Sequence, residues 1–430
     1  SAFAFTPIGT NATTANSGST VVGDNASATG GSCTTLSGGT DPSGNPSSLS
    51  TTGTCATVIG SSATTNSGAT VVVGDHAKTT GGFSVAIGPL ATADSYSQAI
   101  GAGATATGGH ATAIGQSAYA TASDASAIGT NASATGLRSV AIGSGAHAIN
   151  SDAFALGWNA SASGQGSYAL GTSVKTPGSY AIGMGYQAQE TGDKAIAVGY
   201  QANANGASST AIGDSAATAA ASATALGQLA SASGQYATAL GKSAMAAGTS
   251  STALGDTSVA SGSAAIAVGQ LSVASGARAT AIGRSASASG DYSTAFGQFS
   301  TSSGTYSTAL GPNAFSSSDN ATALGRAAAA LNSNATALGN SATAAAANSA
   351  AFGNAATAGA TGSVAVGDGA KTINGNSIAI GRSASADSLN PTGGWSAIAI
   401  GTNSIATGDG ATALGDSAKA SVDRSLALGR

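Results

Sequence analysis

The chain has 430 residues, a formal net charge of −4 and only 7% charged residues. Ile, Leu, Val and Phe together make up about 14% of it, below the roughly 20% with which a chain ordinarily builds a core, yet the charge is too low for a typical disordered sequence. Sixty-four Gly with seven Pro exclude collagen, thirteen Lys and Arg leave no electrostatic footprint for nucleic acid or an anionic membrane, and three His with two Cys offer little for a metal or nucleophile site.

The start, Ser1 to Phe5, lacks the basic region and long apolar core of a signal peptide, and no run of about 18 apolar residues occurs. From Ile8-Gly9 onward, a Gly preceded by an aliphatic residue or Phe recurs, and 23 of the 28 intervals between copies equal 14 residues. With this Gly as position 1, Gly227 to Leu240 is typical: position 14 is Ile, Leu, Val or Phe, position 13 nearly always Ala, positions 4, 6 and 11 Ala, Ser or Thr. Charges fall on positions 2, 5, 9 and 10, as in Lys242, Lys78, Asp291 and Arg138. Short stretches with period-two logic, at 4–6 and 11–14, separated by Gly-rich corners, are a strand code. The expected fold is all-β: a parallel solenoid of 14-residue coils stacked at about 4.8 Å, 29 coils making a rod on the order of 140 Å long. Residues 1–430 read as one repetitive unit with two insertions, ending inside the pattern as a segment of something longer.

The first insertion, residues 31–54, is a Gly/Ser/Thr/Pro-rich loop bracketed by Cys33 and Cys55. Because the flanking half-repeats resume as if nothing intervened, the loop's ends should be close, and a disulfide is expected between the two cysteines, worth roughly 3 kcal/mol in an oxidising compartment. Farther on, intervals of 12 and 16 residues (Gly171 to Gly183 to Gly199) sum to two repeats, and in that register Phe154, Tyr168 and Tyr180 all occupy position 12, an expected aromatic stack. Gly241-Lys242-Ser243 lacks the upstream Gly of a phosphate-binding loop, Tyr236 standing there instead. Tyr292 and Tyr306 should stack at position 10, with Asn320, Asn334 and Asn348 continuing that column as a polar ladder. The second insertion, 382–396, carries Trp395. His76, His110 and His147 fall on different corners; no catalytic, cofactor-binding or metal-ligating set emerges, and the reading is non-enzymatic.

Faces follow from alternation. Positions 11 and 13 oppose 4 and 6 across a thin interior of small residues, so the large residues at 12 and 14 point outward. A single chain would then carry a continuous apolar stripe, far beyond what soluble monomers expose. Self-association is expected, with an axis lined by Ile87, Ile114, Ile142, Leu170, Ile212, Leu240, Ile282, Leu310, Leu338, Ile380 and Leu414.

Ser84-Val-Ala-Ile-Gly88, Ser139-Val-Ala-Ile-Gly143-Ser-Gly-Ala146 and Ser363-Val-Ala-Val-Gly367 resemble the head repeat of trimeric autotransporter adhesins, the YadA-like (Hep/Hag) head. The resemblance covers roughly residues 60–430. It implies left-handed parallel β-rolls, a homotrimer, a bacterial cell-surface location with outer-membrane anchoring through a C-terminal barrel outside this chain, a role in virulence, and an extracellular-matrix or host-cell ligand. Position 12 departs from the family's Val: it is more often Thr, as at Thr210, Thr224, Thr238, Thr252, Thr280, Thr294, Thr308, Thr322 and Thr336. That column motivates the alternative, an ice- or crystal-binding solenoid presenting a flat Thr array to a lattice. The alternative needs the Thr face in water; the adhesin needs it between chains.

Overall fold

A computed structural model describes residues 56–387 and 396–429, and before them the strands Thr13–Thr14, Thr20–Val22, Ala26–Ala28, Thr35–Ser37 and Leu49–Thr51. The chain divides into two units, Ser1–Ser215 and Ala216–Arg430. Both are built in the same way: three-residue strands alternate with two-residue strands, and each pairs in parallel with its counterpart in the next coil. In the first unit the longer strands run from Thr20–Val22 to Thr210–Ile212. In the second they run from Thr224–Leu226 to Leu426–Leu428.

One coil explains the rest. In Gly227–Leu240, Ser231–Ala232 and Thr238–Leu240 are the strands, so the longer strand covers positions 12–14 and the shorter 5–6, each slightly less than the expected extent. Ala230, Ala232, Ala237 and Ala239 are buried, placing positions 4, 6, 11 and 13 inside as alternation requires. Coils are joined through the backbone: Gly241 N–H donates to Leu226 C=O (2.9 Å) and Ser231 N–H to Ala244 C=O (2.8 Å). Two tight turns close the coil, Ala230 N–H donating to Gly227 C=O (3.2 Å) and Ala237 N–H to Gly234 C=O (3.1 Å). The third residue of each turn is left-handed, Leu229 at φ 57° and Tyr236 at φ 59°, a backbone that ordinarily selects Gly or Asn.

Gly at position 1 answers two demands at once. Gly227 has φ 132°, and a Cβ there would lie 2.5 Å from the carbonyl oxygen of Gly241 in the next coil. No other residue meets both conditions, which is why this column survives where others vary. At several coils Ser replaces Ala at positions 4 and 11 with its hydroxyl donating to the turn carbonyl three residues earlier, as from Ser258 to Gly255 (2.9 Å) and from Ser307 to Gly304 (2.6 Å).

The structure corrects the register around residue 183. Ile182–Met184 is the three-residue strand and Gly185, at φ 132°, is the position-1 Gly. The intervals are therefore 14 and 14, not 12 and 16. Tyr180 consequently stands at position 10, a left-handed corner residue at φ 58° and 55% exposed, and is not part of a three-ring column. Phe154 and Tyr168 do meet at position 12, with ring centroids 6.1 Å apart.

Within the expected first inserted loop, Thr35–Ser37 pairs with Thr20–Val22 on one side and Thr57–Ile59 on the other, and Leu49–Thr51 pairs with Ala26–Ala28 and with Thr64–Thr65. The segment thus contributes strands to both sheets. Cys33 and Cys55 lie outside the described residues, as does Trp395 in the second insertion. Ser385–Ala386, inside the range expected for the second insertion, keeps the ordinary positions 5–6, and Ile398–Ile400, just beyond that range, keeps positions 12–14.

Candidate interaction surface

Outward-facing residues divide into two sheet faces and two turn edges. On the longer-strand face, position 14 forms an in-register ladder. In the first unit Ile100, Ile114, Ile128, Ile142, Leu156 and Leu170 pair in succession. In the second, Leu226, Leu240 and Leu254 do so, and Phe296, Leu310, Leu324 and Leu338. Ile87, Ile212, Leu240, Leu310, Leu338 and Ile380 keep between 37% and 41% of their surface exposed. Ile114, Ile142, Leu170, Ile282 and Leu414 are half-buried. Thr at position 12 lies half-buried beside them, with Thr280, Thr294, Thr308, Thr322 and Thr336 in consecutive register.

The turn edges carry most of the exposed rings among the described residues. Phe83, Tyr96 and His110 stack at 5.2 and 4.9 Å, and Tyr292 stacks on Tyr306 at 4.9 Å. Arg278 donates to Tyr292 Oη (2.6 Å) and sits 5.2 Å from its ring centroid. All these rings belong to left-handed residues, where a bulky side chain is disfavoured. Elsewhere the edges carry polar ladders. Arg326 Nε donates to Asn340, Asn340 to Asn354 and Asn354 to Asp368, at 2.9, 2.8 and 2.7 Å. Asn334 donates to Asn348 at 3.1 Å, in the expected Asn column. Arg138 and Asp152 form a two-bonded ion pair (2.8 and 3.0 Å) that holds the Asp152 carboxyl below, and the Arg138 guanidinium above, their ordinary ranges. Asp at position 9 serves the fold: Asp291 and Asp319 accept from the backbone N–H of Ala277 and Thr305 in the preceding coil, each at 2.8 Å.

The family model for the YadA head domain repeat matches more than half of the chain, in segments from residues 69–91 through 406–430. The chain belongs to the YadA head family. The crystal structure of the collagen-binding domain of the Yersinia adhesin YadA matches over 40% of this chain and 69% of its own length, at 24% identity and a TM-score of 0.20. No curated protein matches the chain.

The YadA-head match breaks between residues 173 and 191, where the interior departs from the small-residue code. Val174 replaces Ala at position 4, Gly183 replaces Ala at position 13, and Glu190 stands at position 6. Glu190 is the chain's only glutamate. It is fully buried, and neither carboxylate oxygen has a hydrogen-bond partner. Burial pushes its pKa up to about 8. Gly183 makes the room: a Cβ there would lie 2.6 Å from both carboxylate oxygens and 2.6 Å from Val174 Cγ1. Sequence reasoning missed Glu190 because the shifted register placed it at a corner. Its being the sole glutamate of the chain was the available signal.

On the shorter-strand face above this coil lies a cavity of about 620 Å³ lined by Asn159, Lys175, Gln187, Gln189, Gln201 and Asn203, among others.

Proposed function

We propose that the chain is the non-enzymatic head of a bacterial surface adhesin, assembled as a homotrimer through the position-14 ladder and binding an extracellular-matrix or host-cell ligand by many weak, repeated contacts. The observation that carries this reading is the in-register apolar ladder, in which many of the aliphatic residues keep about two-fifths of their surface in water and the others are half-buried. Soluble monomers do not expose continuous apolar faces of that extent. Three chains turning this face inward leave the turn edges outward, where rings and polar ladders recur from coil to coil. Near-identical contacts on three chains then add through effective concentration. Family membership supports the same reading, with the head held at the bacterial surface by an outer-membrane anchor.

The test pairs light scattering on the native chain with binding to immobilised matrix proteins, collagen among them. The expected outcome is a trimer whose binding survives removal of residues 311–366, four whole coils. A folded monomer at micromolar concentration overturns the trimer and favours the ice-binding reading, which the Thr280–Thr336 column motivates. Loss of all binding on that deletion, with fold and assembly intact, overturns distributed contact.

A further inference from the structure

We infer that the cavity over coils 157–213 is a binding site for an acidic oligosaccharide. Its walls are two columns of the solenoid. Asn159, Gln187 and Gln201 stand at position 3, and Lys175, Gln189 and Asn203 pair in register at position 5. Position 5 carries Ser, Thr or Ala at most other coils and position 3 at about half of them; here two successive coils carry Gln at position 3, and position 5 reads Lys, Gln and Asn in succession. An amide offers a donor and an acceptor, the combination that matches a sugar hydroxyl. Gln201 Nε2 donates to Gln187 Oε1 at 3.0 Å, leaving the remaining valences of both amides for a ligand. Asn203 Oδ1 is shielded and has no hydrogen-bond partner.

Successive coils repeat these groups at about 4.8 Å, a spacing suited to a polymer with regularly placed hydroxyls. The residue before each of three lining amides is an exposed ring: Trp158, Tyr186 and Tyr200 are 56%, 44% and 51% exposed, and Tyr186 stacks on Tyr200 at 5.3 Å. Aromatic faces at this corner complement the apolar face of a pyranose. Lys175 is the one charged lining residue and forms no ion pair among the described residues, so the fitting sugar carries a carboxylate. A peptide strand fits less well, since neighbouring coils already pair with one another's backbone here. The volume lies within the roughly 300–1,000 Å³ of small-molecule sites. The cavity is on the sheet opposite the position-14 ladder, so it stays open when that ladder is covered. It breaks the uniformity of the repeat and stands independently of the distributed contacts proposed above.

The test uses the intact chain on an array of neutral and carboxylated oligosaccharides, followed by calorimetric titration of the strongest carboxylated one and of its carboxyl-reduced form. The expected result is binding of carboxylated members, at least fivefold weaker after carboxyl reduction. A Gln187→Ser/Gln201→Ser variant, using a residue that other coils carry at position 3, should lose at least tenfold while melting like the native chain. Lys175→Gln should lower the carboxylated ligand to the level of its reduced form, whereas Lys371→Gln, at the same repeat position without the amides, should change nothing. The inference is overturned if no array member binds, if the serine variant keeps native affinity, or if Lys371→Gln loses as much as Lys175→Gln. Collagen binding unchanged in the serine variant separates this site from the distributed contacts.

Discussion

At the scale of the residue, Glu190 sets the sharpest expectation. Its folded-state pKa, about 8, lies above the ordinary glutamate value of 4.5 because its carboxyl is buried without a partner. Between those values the folded chain holds a proton that the unfolded chain has released, so stability falls as pH rises from about 4.5 to about 8 and is fully present below 4.5. The loss across that window should be on the order of 3–5 kcal/mol for the coils concerned. Hydrogen exchange at Ile182–Met184 and Ile196–Val198, measured at pH 5 and pH 8, should report it, and Glu190→Gln should flatten the dependence. Gly183→Ala should destabilise the same coils, and part of that cost should vanish in a Glu190→Ala background, because the added methyl meets the carboxylate as well as Val174 Cγ1. A flat pH response in the native chain, or additive effects of the two substitutions, would contradict this account. The same pair marks where the sequence was hardest to read. Ile182-Gly183 satisfies the aliphatic-Gly pattern and Met184-Gly185 does not, so the pattern selects the wrong glycine. Gly185 needs both its positive φ and its missing Cβ; Gly183 needs only the space.

At the scale of the element, the two turns of each coil carry the conformational cost. Leu229 is left-handed at φ 57° and 53% exposed, so little packing offsets the unfavourable backbone. Leu229→Asn should stabilise its coil by about 1 kcal/mol, while Gly227→Ala should cost several kcal/mol through its clash with the next coil's carbonyl. Exchange rates at Thr238–Leu240 would check both, and an unchanged Gly227→Ala would be inconsistent with the observed turn. The strand code itself was legible, because Ala at position 13, small residues at 4, 6 and 11, and Gly at 1 each follow from a thin interior and a crowded corner. The two strands inside residues 31–54 were not. Thr35-Leu36-Ser37 and Leu49-Ser50-Thr51 lack the terminal aliphatic and Ala columns and follow the repeat in backbone pairing alone. A disulfide between Cys33 and Cys55, which lie outside the described residues, is proposed from the sequence, where the repeat resumes on either side of the loop they bracket. Thiol labelling of native protein kept from reductant should find neither cysteine free; two reactive thiols would refute the bond.

For the molecule as a whole, the question is whether the position-14 ladder suffices to hold three chains. The sequence alone suggests a gross gain of tens of kcal/mol per chain, taking each aliphatic side chain as newly buried. The structure lowers that figure, since the chain's own coils already cover more than half of each residue. The remaining surface, about two-fifths at the more exposed positions and less at the others, is worth up to about 0.6–1.2 kcal/mol per position, or up to the order of 10 kcal/mol for the ladder of one unit. Association costs ~4–15 kcal/mol and is met once, whereas both units of the chain contribute to the gain. The balance favours the proposed assembly and makes it depend on many coils, so a single substitution should loosen the proposed trimer locally without abolishing it. Leu310→Asp would bring three carboxyls together in an apolar surround. Both desolvation and mutual repulsion would raise their pKa, so the damage should be small at pH 4 and grow toward pH 7. Exchange should accelerate at Phe296, Leu310 and Leu324 and remain native at Ile114 and Ile128, because coils contact chiefly their neighbours. Lys242→Asp, at an exposed corner, should leave both exchange and mass unchanged. Light scattering of the two variants at pH 4 and pH 7, beside the native chain, decides the matter: a Leu310→Asp chain with native exchange and native mass at pH 7 would place this ladder outside any interface.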